Sequence, residues 1–398
     1  MLQTNNNEVL RTMNSFNPSR LNEARLYRKM TIDELAKSVG TSKQAISQFE
    51  NKKSVPDFNT INKIREVLRF PIQFFREDCC DDIAIGNTYF RAPFSSNKKD
   101  MNSQRIKAKY VAFIQNCLSE YVDFPLLNIP NFPEIEDMEK VAKRTRDFWG
   151  LGREPIPDMV SLLERNGIIV SEFSTEGRTI DAFYQYGEMF GREYYCIVLG
   201  TDKLTFARRQ FNAAHELAHI LLHERNNDID ELDRDEFRKR EDEANRFASA
   251  FLLPSETFVP DVQQYGNKLN YYIELKRKWR VSIAAMMHRA ADLEVISANQ
   301  YQYLMRQMSS SGWRTQEPLD EYMTPIKPKA LKQAINMLLL NDYLTPKQIF
   351  GQFSKYKMSL PKDVVDEVLN LESDTLPDES EDSIDSKFVV LTLRKNTD

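Results

Sequence analysis

Phe211-Asn-Ala-Ala-His-Glu-Leu-Ala-His-Ile-Leu-Leu-His223 is an apolar run that holds three of the chain's four histidines; the fourth is His288. Within it, His215, Glu216 and His219 spell His-Glu-x-x-His. The flanking Ala213, Ala214, Leu217, Ala218, Ile220 and Leu221 predict a buried helix, here over Thr205–Glu224. Residues four apart share a helix face, so both imidazoles reach one ion. Glu216 sits about 100° round from His215, where a carboxylate reaches a water on the ion without ligating the ion. Zinc in hydrolytic sites takes three protein ligands and keeps one position for water. The ion lowers the pKa of that water, and a nearby carboxylate takes its proton. His223 lies a further four residues on. It is an alternative ligand, or a side chain that supports a ligating ring, because one straight helix seldom offers three ligands to one ion.

A third ligand is expected from the following helix, Glu236–Leu253, which Pro254 stops. Ala244, Phe247, Ala248, Phe251 and Leu252 define its buried stripe. At 100° per residue, Glu241 lies about 50° from the centre of that stripe and Glu243 about 110°. Glu241 is the expected ligand and Glu243 the alternative. Asn245, one turn beyond Glu241, is placed to accept the free N–H of a ligating histidine.

These stretches resemble the ImmA/IrrE metallopeptidases, which are similar to the wider gluzincin group. The likeness rests on Arg208–His219 and on Glu241–Pro254. Pro155-Ile156, Leu162–Ile168, Ile180–Phe183, Leu275–Ile283 and Gly312-Trp-Arg314 add to it. It is strong over 134–320. One departure is Asn212, where such proteins often carry Thr; it lies before the metal face. The resemblance implies a zinc endopeptidase that cleaves a specific repressor protein, and some relatives carry a repressor-like head.

Such a head is legible upstream. Leu21–Arg25 opens a first helix. Thr31-Ile-Asp-Glu34 is a capping box for a second, which Gly40 ends. Thr41–Glu50 supplies a third, with Ala36, Val39 and Ile46 spaced to pack the two across a short turn. That geometry sets the later helix in the major groove of double-stranded operator DNA. Lys43, Gln44, Ser47 and Gln48 are the candidate base contacts, since Lys suits guanine and Gln suits adenine. Asn51, Lys52 and Lys53 suit phosphates. Residues 20–75 resemble XRE-type repressors. The resemblance implies a structural pair in Arg25 and Glu50. Ile32 departs from it, standing where many relatives place a phosphate-contacting Gln.

Charge agrees with this division. The 398 residues sum to −5, yet Arg20–Phe70 holds eleven Lys/Arg against six Asp/Glu. A basic segment on an acidic chain is a candidate nucleic-acid surface. Cys79, Cys80, Cys117 and Cys196 match neither a disulfide framework nor a zinc knuckle, and no run approaches a membrane span. These features point to a cytoplasmic protein with no membrane partner.

The expected organisation is a disordered lead over 1–19, the head over 20–75 and a helical linker over 76–133. A peptidase domain over 134–311, a helical region over 312–372 and an acidic tail over 373–398 follow. The fold class is mainly α with a small antiparallel sheet: an all-α head and an α+β, zincin-like peptidase domain. Two functions fit. One is a DNA-binding regulator with a zinc endopeptidase acting on a repressor protein. The other is a repressor or antitoxin-like regulator with a structural or sensory zinc and no proteolysis. The usual pairing of operator half-sites suggests a homodimer.

Overall fold

The structure of the protein is a computed structural model that describes residues 16–78, 83–90, 98–132, 137–174, 181–201, 205–223, 233–372 and 374–376. Residues 1–15 of the expected lead, Cys79, Cys80, and the acidic tail beyond 376 lie outside the described residues.

The head forms as its sequence signals require. Helices α1 (Pro18–Tyr27), α2 (Ile32–Val39), α3 (Lys43–Glu50) and α4 (Phe58–Leu68) follow in order. Glu34 N donates to Thr31 Oγ1 at 3.1 Å, and the Glu34 carboxylate accepts from Thr31 N at 2.6 Å. This completes the capping box. Gly40 ends α2 at φ 77°, a left-handed position where glycine has no Cβ penalty. Ser42 caps α3. Ala36, Val39 and Ile46 are buried between the helices with Leu21, Ala24, Leu35, Ile64 and Leu68.

Arg25 and Glu50 form a two-pronged pair, Nε–Oε1 at 2.5 Å and Nη2–Oε2 at 2.8 Å. Arg25 also donates to Met30 O, so this nearly buried guanidinium locks α1 to the end of α3.

A four-stranded sheet forms the centre of the remaining chain. Strands β1 (Ile83–Phe90), β2 (Ile169–Phe173), β3 (Ala182–Met189) and β4 (Arg192–Gly200) lie in the order β1-β3-β4-β2. β3 and β4 form a hairpin closed by Phe190 and Gly191, both at positive φ, the two-residue turn that fits strand twist. β2 runs parallel to β4. The sheet is therefore mixed, not the antiparallel sheet expected, because β2 enters beside β4 from the connection after a helix. The larger departure is β1. Residues 83–90 fall in the stretch read as a helical linker, yet they pair antiparallel with β3 as the edge strand.

Side chains alternate across the sheet. Ile169, Phe173, Phe183, Cys196 and Val198 face one core. That core includes the head, helix α5 (Lys98–Leu118) and the C-terminal helices α14 (Ala330–Leu340), α15 (Pro346–Lys355) and α16 (Lys362–Leu369). Val170, Tyr184, Tyr195, Ile197 and Leu199 face the other. There, α6 (Met138–Phe148), α7 (Met159–Arg165), α8 (Phe206–Leu222) and α9 (Arg234–Leu252) pack. α10 (Ser255–Gln263), α11 (Tyr271–Trp279), α12 (Ile283–Asp292) and α13 (Ala298–Ser310) complete that layer.

The head is joined to the C-terminal helices by directed bonds. Arg20 Nη2 donates to Lys357 O at 2.6 Å, and Tyr27 bonds Glu367. The Pro-rich entry 312–328, with Pro318, Pro325 and Pro328, carries turns, and the C-terminal helices begin at Ala330. Among the described residues no helix is long and apolar enough to cross a membrane.

Candidate metal centre

α8 and α9 cross on the inner face of the sheet, and each sends its polar residues to the crossing. Thr205 Oγ1 caps α8 by accepting from Arg208 N. Asp233 caps α9, accepting from Asp235 N and Glu236 N. Ala213, Ala214, Leu217 and Ala218 bury one face of α8; Ala244, Phe247, Ala248 and Phe251 bury one face of α9. The small alanines allow the helices to approach closely.

At the crossing, His215, His219 and Glu241 converge. His215 Nε2 lies 3.0 Å from His219 Nε2. Glu241 Oε2 lies 3.4 Å from His215 Nε2, and Oε1 3.2 Å from His219 Nε2. Ligands at about 2.0–2.1 Å from a tetrahedral zinc stand roughly 3.3–3.5 Å from one another. The donor set and its spacing therefore fit such an ion, with two imidazole nitrogens and one carboxylate. Glu243 does not join the group. It turns to His223, Oε2 to Nε2 at 3.3 Å.

The supporting bonds fix which nitrogen each histidine offers. His215 Nδ1 lies 3.0 Å from Asn245 Oδ1, an acceptor, so Nδ1 carries the proton and Nε2 keeps its lone pair. His219 Nδ1 lies 2.9 Å from His223 Nδ1. With Nε2 of His219 turned to His215 and Glu241, its Nδ1–H donates to His223, whose Nε2–H donates to Glu243. Burial, with help from neighbouring positive charge, pushes the His223 ring down to about 2, so it is neutral. His223 does not continue the helix. It is the extended residue after α8, φ −109° and ψ 142°, and so its ring turns back onto His219.

Burial alone would raise the Glu241 carboxyl. Hydrogen bonds and charge from His215 and His219 outweigh it and hold the group below the ordinary range. Glu216 is buried beside the pair on α8. His215 and His219 are 0% exposed and Glu216 is 1% exposed, whereas the Glu241 side chain keeps 14% of its surface open to solvent.

Sequence reasoning missed one residue of the site. Tyr89, on β1, lays its ring over His219 with centroids 3.9 Å apart. Tyr184 and Phe237 flank the same ring, each at 5.9 Å. Burial and the neighbouring Glu241 and Glu216 carboxylates push its phenol well above the ordinary range, so it stays protonated. The β-branched and aromatic residues Ile83, Ile85, Thr88, Tyr89 and Phe90 were the available signal.

The DNA-facing candidates lie together on and after α3. Lys43 and Gln44 are exposed, Ser47 and Gln48 half-buried, and Asn51, Lys52 and Lys53 exposed. Asn51 Nδ2 donates to Ser47 O at 2.7 Å, which ties that amide to the end of its own helix.

Residues 163–291 match the family model of the IrrE N-terminal-like domain of peptidase family M78. Residues 19–73 match a helix-turn-helix domain model. No curated protein matches the chain. The first span holds β2, β3, β4, α8 and α9 but not β1; the second holds α1 to α4. The chain therefore carries the fusion its sequence resembles, an XRE-type helix-turn-helix head with an IrrE-like peptidase-family domain.

Proposed function

We propose that this DNA-binding regulator is a zinc-dependent endopeptidase that cleaves a specific repressor or regulator protein. The observation that carries the reading is the convergence of His215, His219 and Glu241 at tetrahedral spacing, with Glu216 next to them. Zinc held there supplies Lewis acidity and lowers the pKa of a water molecule. His215 and His219 offer Nε2, oriented by Asn245 and by His223 with Glu243. Glu216 takes the proton of the attacking water and passes it to the leaving amine. A catalytic zinc keeps one position open, and three protein ligands leave it open.

Lys43, Gln44, Ser47 and Gln48 read bases in operator DNA, while Asn51, Lys52 and Lys53 meet the backbone. The head binds as a homodimer across two half-sites. Sedimentation that found only monomer, with and without operator, would remove the dimer.

Glu216→Ala tests the hydrolytic step. Zinc content should be unchanged, and cleavage of a co-encoded regulator should fall by roughly 10²- to 10⁴-fold. A second reading, a sensory or structural zinc without proteolysis, is favoured by the burial of both histidines and Glu216. It gains if regulation survives Glu216→Ala intact.

A further inference from the structure

The peptidase reading requires that a peptide bond reach the crossing of α8 and α9, yet both histidines are sealed from solvent. What closes the centre on the sheet side comes from outside the span that matches the peptidase family. β1 enters between the head and that span. It pairs along β3, Ile83↔Met189 to Phe90↔Phe183, and no further strand lies beyond it among the described residues. Its pairing is broken between Ile85 and Thr88, so it is held by two short ladders. At the end nearest the metal ligands, the Tyr89 ring lies against His219, tilted 33° to it at 3.9 Å between centroids, and is itself 2% exposed.

We propose that β1 is a built-in plug. Tyr89 closes the metal centre, and hydrolysis begins only when β1 leaves the β3 edge to an extended segment of the protein substrate. This rests on the peptidase reading. β1 is the element whose departure disturbs least, since an edge strand has one strand neighbour, whereas α8 and α9 are packed on several sides. Once bare, β3 offers unpaired N–H and C=O groups, the surface on which an extended peptide adds as a strand. The cleft between His219, Tyr184 and Phe237 then takes an aromatic or large apolar side chain in place of the Tyr89 ring. The substrate class is thus an extended polypeptide with such a residue, and a folded surface loop of other character is excluded.

The test uses the full-length zinc-loaded protein and reads zinc transfer to a chelating dye, with amide hydrogen exchange along β3. Tyr89→Ala should speed transfer roughly 10- to 100-fold and raise exchange, because the plug loses its buried anchor. Ala84 and Glu188 stand opposite each other in register. The double variant Ala84→Cys/Glu188→Cys, oxidised, should slow transfer and cleavage below wild type, and reduction should restore both. Tyr89→Phe keeps the ring, so its transfer rate should stay closer to wild type than that of Tyr89→Ala. Equal transfer rates in wild type, Tyr89→Ala and the oxidised pair would overturn the plug while leaving the peptidase standing. So would Tyr89→Phe losing cleavage at unchanged transfer, since the phenol would then be part of the chemistry. Absence of zinc from every form would overturn the peptidase reading, and the plug with it.

Discussion

His223 Nδ1 stands 2.9 Å from His219 Nδ1, so the second histidine of the metal pair is steadied by another imidazole, itself held by Glu243. His215 is steadied by a neutral amide, Asn245. The two proposed ligands are thus supported unequally, one through a relay ending in a carboxylate and the other by a single oxygen. His223→Ala breaks the relay without removing a ligand. Metal affinity, measured by competition with a chelator, should fall roughly 10- to 100-fold. Glu243→Gln should fall less, because an amide oxygen still accepts from His223. Equal affinities in both variants and wild type would remove the relay.

Glu241 and Glu243 separate cleanly in the same assay. Glu241 faces both ligating nitrogens, whereas Glu243 faces only His223. Glu241→Ala should abolish stoichiometric zinc on dialysis, and Glu243→Ala should retain it. Retention by Glu241→Ala would mean that another group is the third ligand.

The acid stability of the head should depend on Glu34. Its backbone bond with Thr31 and its pairing with Lys99 hold its carboxyl down to about 2, below its ordinary 4.5. A depressed folded pKa means the unfolded chain binds the extra proton first. The stabilisation is therefore complete above about pH 4.5 and lost as pH falls towards 2. Glu34→Gln keeps the capping geometry but not the charge. Helix content against pH over that window should slope less steeply in Glu34→Gln; identical slopes would assign the acid transition to other carboxylates.

Lys276 is fully buried, with Nζ 2.7 Å from Glu317 and 2.6 Å from Asp320. Glu317 also accepts from Ile283 N and Ala284 N, capping α12. Lys276→Ala leaves two carboxylates, each only 9% exposed, without their cation. Such a change costs about 3–5 kcal/mol. Denaturant unfolding should show it, and Lys276→Met with Glu317→Gln should recover part of the loss. A loss below about 1 kcal/mol would mean that water reaches the site.

How far the sequence discloses this molecule follows the range of the interactions involved. The convergence of His215, His219 and Glu241 was legible because each helix's part in it is local. Four-residue spacing fixes His215 with His219, and counting 100° per residue separates Glu241 from Glu243. The capping box at Thr31 and the turn at Gly40 are local too. The end of α8 was not legible, since neither Gly nor Pro marks it, and so the backward turn of His223 could not be foreseen. β1 and the parallel pairing of β2 depend on contacts distant in sequence. Tyr89 lies 130 residues before His219, and no spacing rule connects them.

On the head, the freedom of each side chain ranks its expected effect on DNA binding. Lys43 and Gln44 are exposed at the start of α3, the part of a recognition helix that meets base edges. Each truncation to Ala should cost about 1–3 kcal/mol on the specific operator and relax selectivity at one base pair. Lys53→Ala should weaken binding to all sequences alike and lower the salt slope by about 1. Asn51 differs from both, because its amide is tied to Ser47 O. Asn51→Ala should affect binding mainly by loosening the end of α3, by a few tenths of a kcal/mol. Titrations at several salt concentrations decide between these roles. If Asn51→Ala matches Lys43→Ala in cost and selectivity, Asn51 leaves its helix cap to read a base, and the ranking by side-chain freedom fails.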